Sequence, residues 1–124
     1  MPDKTDGPPV VQLGAHSVTL KAPGSITICA DLFSAVLTNE TRGLAACLVA
    51  CWNGPGRPRI RYDQTGYNPM IYGGQAMDAL LKMGIGLPDI RGYGQVAHML
   101  IGEQVPMMTA VLEAEDFSVA PEDG

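Results

Sequence analysis

The sequence predicts a mainly α-helical single domain, a four-helix core carrying a short N-terminal strand or two-stranded β-ribbon. Three observations lead there. The 124 residues are 46% hydrophobic but only 6% aromatic, so the apolar surface comes from Ala, Leu, Val and seven Met, a palette that suits packed helices. Four stretches repeat apolar residues at helical spacing, each opened by a helix-start signal. Strand-like alternation is confined to two short runs.

In chain order, residues 1–9 (MPDKTDGPP) are polar and Pro-rich and read as a disordered leader. From Val10 to Ala22 the pattern alternates, with Val18 and Leu20 on one face and Ser17, Thr19 and Lys21 on the other, until Pro23-Gly24 ends it. The second alternating run, Arg59 to Tyr62, lies between breakers and is the expected pairing partner of the first. Ser25 caps a first helix over 25–37, whose stripe is Cys29, Leu32, Phe33, Val36 and Leu37. Thr38 or Asn39 caps a second over 40–52. This one is apolar almost all round (Leu44, Ala45, Cys47, Leu48, Val49, Cys51, Trp52) and so belongs at the centre of the core.

Asn68-Pro69 opens a third helix running to about Met83: a cap residue, then Pro at the first helical position, where its missing N–H costs nothing. Its expected stripe is Met70, Gly74, Met77, Leu80 and Leu81, and Gly84 supplies the left-handed stop. A fourth helix over 88–102 starts at Pro88, with Asp89 in its first turn and a stripe of Ile90, Gly94, Ala97, Leu100 and Ile101. After Pro106 a short helical piece near 109–116 is expected. The domain is drawn as 10–117, with 118–124 as an acidic tail.

Charge narrows the function classes. The net charge is −5, yet residues 1–102 carry eight basic and seven acidic groups, a balance of +1. The excess acid lies in Glu103, Glu113, Glu115, Asp116, Glu122 and Asp123, a stretch with no Lys or Arg, which argues against nucleic-acid binding. The longest uncharged apolar run, Gly43 to Trp52, is about half of what a bilayer span needs, so no membrane partner is expected. Three cysteines without a disulfide-framework spacing and a leader without an apolar core fit a reducing cytoplasm.

No motif for catalysis, cofactor or metal stands out. Cys29, Cys47 and Cys51, with His16 or His98, would suffice in number for zinc, but their spacing follows a helix interior rather than a ligand loop, and core packing is the favoured reading. Gly54-Pro55-Gly56, Gly73-Gly74 and Gly92-Tyr93-Gly94 match no phosphate loop. The glycines at 73, 74, 92 and 94 fall inside expected helices, which suggests that the third and fourth helices cross closely there, with a ligand groove at the crossing as an alternative. The most distinctive segment is Tyr62 to Tyr72 with the arginines before it. Arg59, Arg61, Tyr62, Tyr67, Met70 and Tyr72 are the residue types of interface cores, and they are the candidate partner-binding set. The alternative for the same residues is a loop pinned over the core by its rings.

A short strand (HSVTLKAP), a capped helix, an Ala-rich helix ending in Trp, the GYNPMIYGG turn into a third helix and a last helix before an acidic end give a feature order over residues 16–117. It resembles small tailed-phage morphogenesis proteins, most of all the tail-assembly chaperone type. The resemblance implies a non-enzymatic role in the host cytoplasm, binding a tape-measure or tail-tube protein without any cofactor, with homo-oligomers allowed. Two other classes stand beside it. One is a small-molecule-binding or enzymatic helical domain using the glycine groove. The other is a structural neck or tail component of the virion.

Overall fold

The computed structural model describes residues 8–105. Its elements are β1 (Val10–Leu13), β2 (His16–Leu20), α1 (Ile26–Thr38), α2 (Glu40–Cys51), β3 (Trp52–Asn53), a single 3-10 turn (Tyr62–Thr65), α3 (Pro69–Lys82) and α4 (Leu87–Gly102). The fold class is the expected one, mainly helical with a small antiparallel sheet at the N-terminal end. The expected helical piece near 109–116 and the tail at 118–124 lie outside the described residues, as does all of the leader before Pro8. Pro9, assigned to that leader, is tied into the sheet: its carbonyl accepts a hydrogen bond from the Leu20 amide at 2.9 Å.

The helix starts follow local chemistry. The Ser25 hydroxyl accepts from the Ile28 amide, Asn39 Oδ1 from the Arg42 amide, and Asn68 Oδ1 from the Met70 and Ile71 amides, so each cap satisfies donors the helix itself leaves open. Gly84 (φ +86) provides the left-handed residue that ends α3. α2 is central. It packs against α1, α3 and α4, and eight of its twelve residues are buried, as an all-round apolar helix requires.

Four expectations need correction. The run Arg59 to Tyr62 is not a strand. The Val10–Ala22 segment instead folds on itself at Gly14 into the antiparallel pair β1–β2, and the third strand comes from Trp52–Asn53, pairing with Thr19 and Leu20. An exposed Arg at 59 and another at 61 make the alternation of a solvated loop, with no ladder to join. On α1 the stripe turns inward at Ala35, leaving Leu37 85% exposed. On α3 the buried face is Tyr72, Gly73, Ala76 and Leu80, rotated from the expected one; Met70, Gly74 and Met77 are half-buried and Leu81 is exposed. Finally, the helical glycines do not mark a crossing of α3 with α4. A Cβ on Gly73 would meet the Arg42 carbonyl and one on Gly94 would meet Leu44, both on α2, whereas Gly74 and Gly92 face open space. The small residues let α3 and α4 approach α2 from two sides, and the groove imagined between them loses its basis.

The three thiols are core residues. Cys29, Cys47 and Cys51 are free and fully buried, with their sulfurs facing the carbonyls of Pro23, Leu32 and Ala97. Burial pushes the Cys51 thiol up from 9.0 to about 12, helped by Cys29. Cys47 is raised further, by burial first and then by its two thiol neighbours, and Cys29 is raised by burial alone. A raised acid holds its proton in the native state where the unfolded chain has lost it. Stability is therefore complete below pH 9 and falls as pH climbs above it. We expect the native thiols to resist aromatic-disulfide labelling at pH 8, with labelling following global unfolding. Rapid labelling of a folded sample would contradict this burial.

Candidate functional site

The chain leaving β3 runs over the ends of α1 and α2 before it enters α3, and it is pinned at both ends. Trp52 Nε1 donates to the Pro55 carbonyl at 2.9 Å, and Gly56, at φ +81, passes so close to the His16 ring that a side chain there would collide with it. Further on, Gly66 and Tyr67 both take left-handed backbone, φ 70 and φ 58. For Tyr67 this conformation costs on the order of 1 kcal/mol and must be held by its surroundings.

What holds it is Tyr62. Its hydroxyl lies 2.9 Å from Asp31 Oδ2 and 3.0 Å from the Tyr67 carbonyl, so one phenolic proton faces two acceptors from different parts of the chain. Its ring meets Tyr67 and Tyr72 edge-on, at centroid distances of 5.6 and 5.4 Å. Burial, then the hydrogen bond to and charge of Asp31, raise the Tyr62 phenol well above its ordinary range, so it stays a donor. Tyr72 is also raised, by burial, although the Arg57 guanidinium beside it pulls the other way. We expect Tyr62→Phe to cost about 1–2 kcal/mol in chemical denaturation, because Asp31 and the Tyr67 carbonyl lose their donor. A neutral outcome would mean that the turn is held by its rings alone.

Beneath this turn lies an open cleft of about 300 Å³ lined by Pro23, Ile28, Leu32, Ala50, Arg57, Ile60, Arg61, Tyr62, Asp63, Tyr67 and Tyr72. Its floor is apolar and comes from α1 and α2; its walls are tyrosine rings; its rim carries charge. Arg61 is engaged by Asp63 through two hydrogen bonds of 3.2 and 2.8 Å, while Arg57 is exposed at the edge next to Tyr72.

Four of the six candidate residues, Arg61, Tyr62, Tyr67 and Tyr72, thus line one cleft. Arg59 is exposed and Met70 half-buried, and both lie outside the lining. The candidate set stops at Arg59 and leaves out Arg57, although the sequence reads Arg57, Arg59 and Arg61 as one basic cluster able to meet an acidic partner, and it misses Asp31, which sits 31 residues from its tyrosine partner. The two histidines are in different places: His16 is tilted against Trp52, and His98 stacks on Phe33 at 4.4 Å with its Nε2 buried and, among the described residues, without a partner. Among the described residues no group of three His, Cys, Asp or Glu is placed to hold a metal ion, and no helix is long and apolar enough to cross a membrane. The cleft offers apolar contact, ring edges and faces, and a guanidinium. Compared with protein-family models, curated proteins and solved structures, the chain matches none.

Proposed function

We propose that this is a non-enzymatic binding protein that receives an anchor side chain of a protein partner in the cleft under the tyrosine turn. The observation that carries the reading is the composition of that cleft: Tyr62, Tyr67, Tyr72, Arg57 and Arg61 around a floor of Ile28, Leu32 and Ala50. Tyrosine and arginine in a concave, partly desolvated setting are the residues that dominate interface energetics. The Tyr62–Asp31 bond and the edge-on rings fix the site before any partner arrives, which lowers the ordering cost of binding. An aromatic or large aliphatic anchor flanked by carboxylates suits the apolar floor and the Arg57 rim. In the form that the sequence resemblance implies, the partner is a tape-measure or tail-tube protein and the chain acts as an assembly factor in the host cytoplasm.

The test is mass-resolved size exclusion of the protein alone and co-expressed with its gene neighbours, repeated with Tyr67→Ala and Arg57→Glu. Both positions are exposed, so both variants should remain folded. A complex that each variant weakens by roughly tenfold or more supports the reading. A wild-type chain that ignores its neighbours overturns it, and a symmetric oligomer of the chain alone points to a structural role instead.

A further inference from the structure

Charge over the whole cleft is balanced, with Arg57 and Arg61 set against Asp63 at the rim and Asp31 behind Tyr62. What singles out a ligand is which of these groups are already engaged. Both oxygens of Asp63 hold Arg61, at 2.8 and 3.2 Å, so that arginine is met within the rim. Asp31 accepts the Tyr62 phenol, whose proton also faces the Tyr67 carbonyl. Arg57 differs. Among the described residues it forms no ion pair, and its neighbour is the phenol of Tyr72, a ring that is only 2% exposed. Burial raises that phenol, and the Arg57 guanidinium lowers it again through its charge and a hydrogen bond, so the two groups stand side by side.

We propose that the cleft recognises a carboxylate carried on a ring-sized apolar group, the apolar part on the floor and the carboxylate at Arg57 and the Tyr72 hydroxyl. This rests on the reading of the cleft as a binding site and deepens it. The anchor ends in its own carboxylate, as a free aryl acid does and as the last residue of a protein chain does.

The donors fit that group. A phenol oxygen that accepts from a guanidinium keeps its own proton to give, so Arg57 and Tyr72 together can serve both oxygens of one carboxylate. Ile28, Leu32 and Ala50 beneath them offer no side-chain polar atom, and the tyrosine walls present ring edges and faces to a ring lying there. Other charges match worse. An ammonium would have Arg57 against it, and the aspartates it would turn to are already engaged. A phosphate monoester carries close to two charges at neutral pH and would find one arginine without an ion pair. Size agrees as well, since about 300 Å³ is the low end of small-ligand sites and holds one ring with its acid group.

The experiment is an amide NMR titration of the full chain with three probes that share a phenyl ring: 3-phenylpropionate, 3-phenylpropanamide and 3-phenylpropylamine. The acid should bind in about the millimolar range, as a ligand of this size does. It should move the signals of Ile28, Arg57, Ile60 and Tyr72 while leaving Gly92 in place, since α4 contributes nothing to the lining. The neutral amide should bind roughly tenfold more weakly, and the amine more weakly still. Arg57→Gln, an exposed position, should bring the acid down to the level of the amide and leave the amide unchanged. Acid and amide binding alike would overturn the proposal, as would no binding of either, or an acid preference that survives Arg57→Gln. A peptide ending in Phe, with a free or an amidated C-terminus, separates the two sources. If amidation costs the peptide the same factor, the ligand is a partner's chain end; if only the free acid binds, it is a small molecule. Failure here is separable from failure of the partner reading. A complex with a gene neighbour that Tyr67→Ala weakens, beside acid and amide that bind alike, sinks this inference alone.

Discussion

Gly43→Ala is expected to destabilise the fold by about 3 kcal/mol or more, the upper end of what overpacking costs. A Cβ at this position would lie 2.5 Å from Val36 Cα, 2.6 Å from Val36 N and 2.8 Å from the Ala35 carbonyl carbon. All three are backbone atoms, so no rotamer change relieves the clash, and α1 would have to move away from α2. The roughly 1 kcal/mol that Ala gains over Gly as a helix former does not offset this. Gly74→Ala and Gly92→Ala are the internal controls. Their Cβ atoms would meet nothing within 4 Å, so the same propensity term should stabilise by about 0.5–1 kcal/mol. In a domain of this size thermal melting should separate them widely, Gly43→Ala losing more than about 12 °C and the controls gaining a few degrees. If Gly43→Ala melts with the wild type, α1 and α2 do not approach at this point.

Most of the fold was legible because its signals are local. Ser25, Asn39 and Asn68-Pro69 each act within one helical turn of themselves, and the left-handed Gly84 acts on its own residue. The all-apolar sequence of α2 likewise needs no knowledge of its neighbours to place it centrally. What was missed depends on which side a neighbour comes from. Periodicity shows that α3 has an apolar face, but Met70, Met77 and Leu81 compete with Tyr72, Gly73 and Ala76 for that role. The choice was made by α2, against which Gly73 gives the closest approach. The pairing of β2 with Trp52–Asn53 is likewise a long-range contact, invisible in two residues that end a helical pattern. At the site, Arg61, Tyr62, Tyr67 and Tyr72 were visible as a cluster because they fall within twelve residues of sequence. Pro23, Ile28, Asp31 and Leu32 carried no such mark, because their part depends on the tyrosine turn folding back over α1.

The second large effect is expected at Leu48, the fully buried side chain on the face of α2 that also carries Leu44 and Cys51. Leu48→Ala removes three heavy atoms from a core surrounded by helices on more than one side, where collapse is restricted, and should cost about 2–5 kcal/mol. Against a total of about 5–15 kcal/mol for a domain, that is a large share of the stability. Leu37→Ala makes the same chemical change at a site that is 85% exposed and should stay within about 0.5 kcal/mol of wild type. A urea titration that finds the two variants alike would remove α2 from the centre of the fold. The comparison also calibrates the binding experiments. Ala50 and Leu32 hold the cleft floor from α2 and α1, so Leu48→Ala should weaken partner binding only by lowering the folded fraction. Tyr67→Ala, with its ring on the rim and 61% exposed, should weaken binding while costing no more stability than the about 0.5–1.5 kcal/mol of its edge-on contact with Tyr62. A cleft that recognises a partner must separate those two variants; a turn that merely covers the core would not.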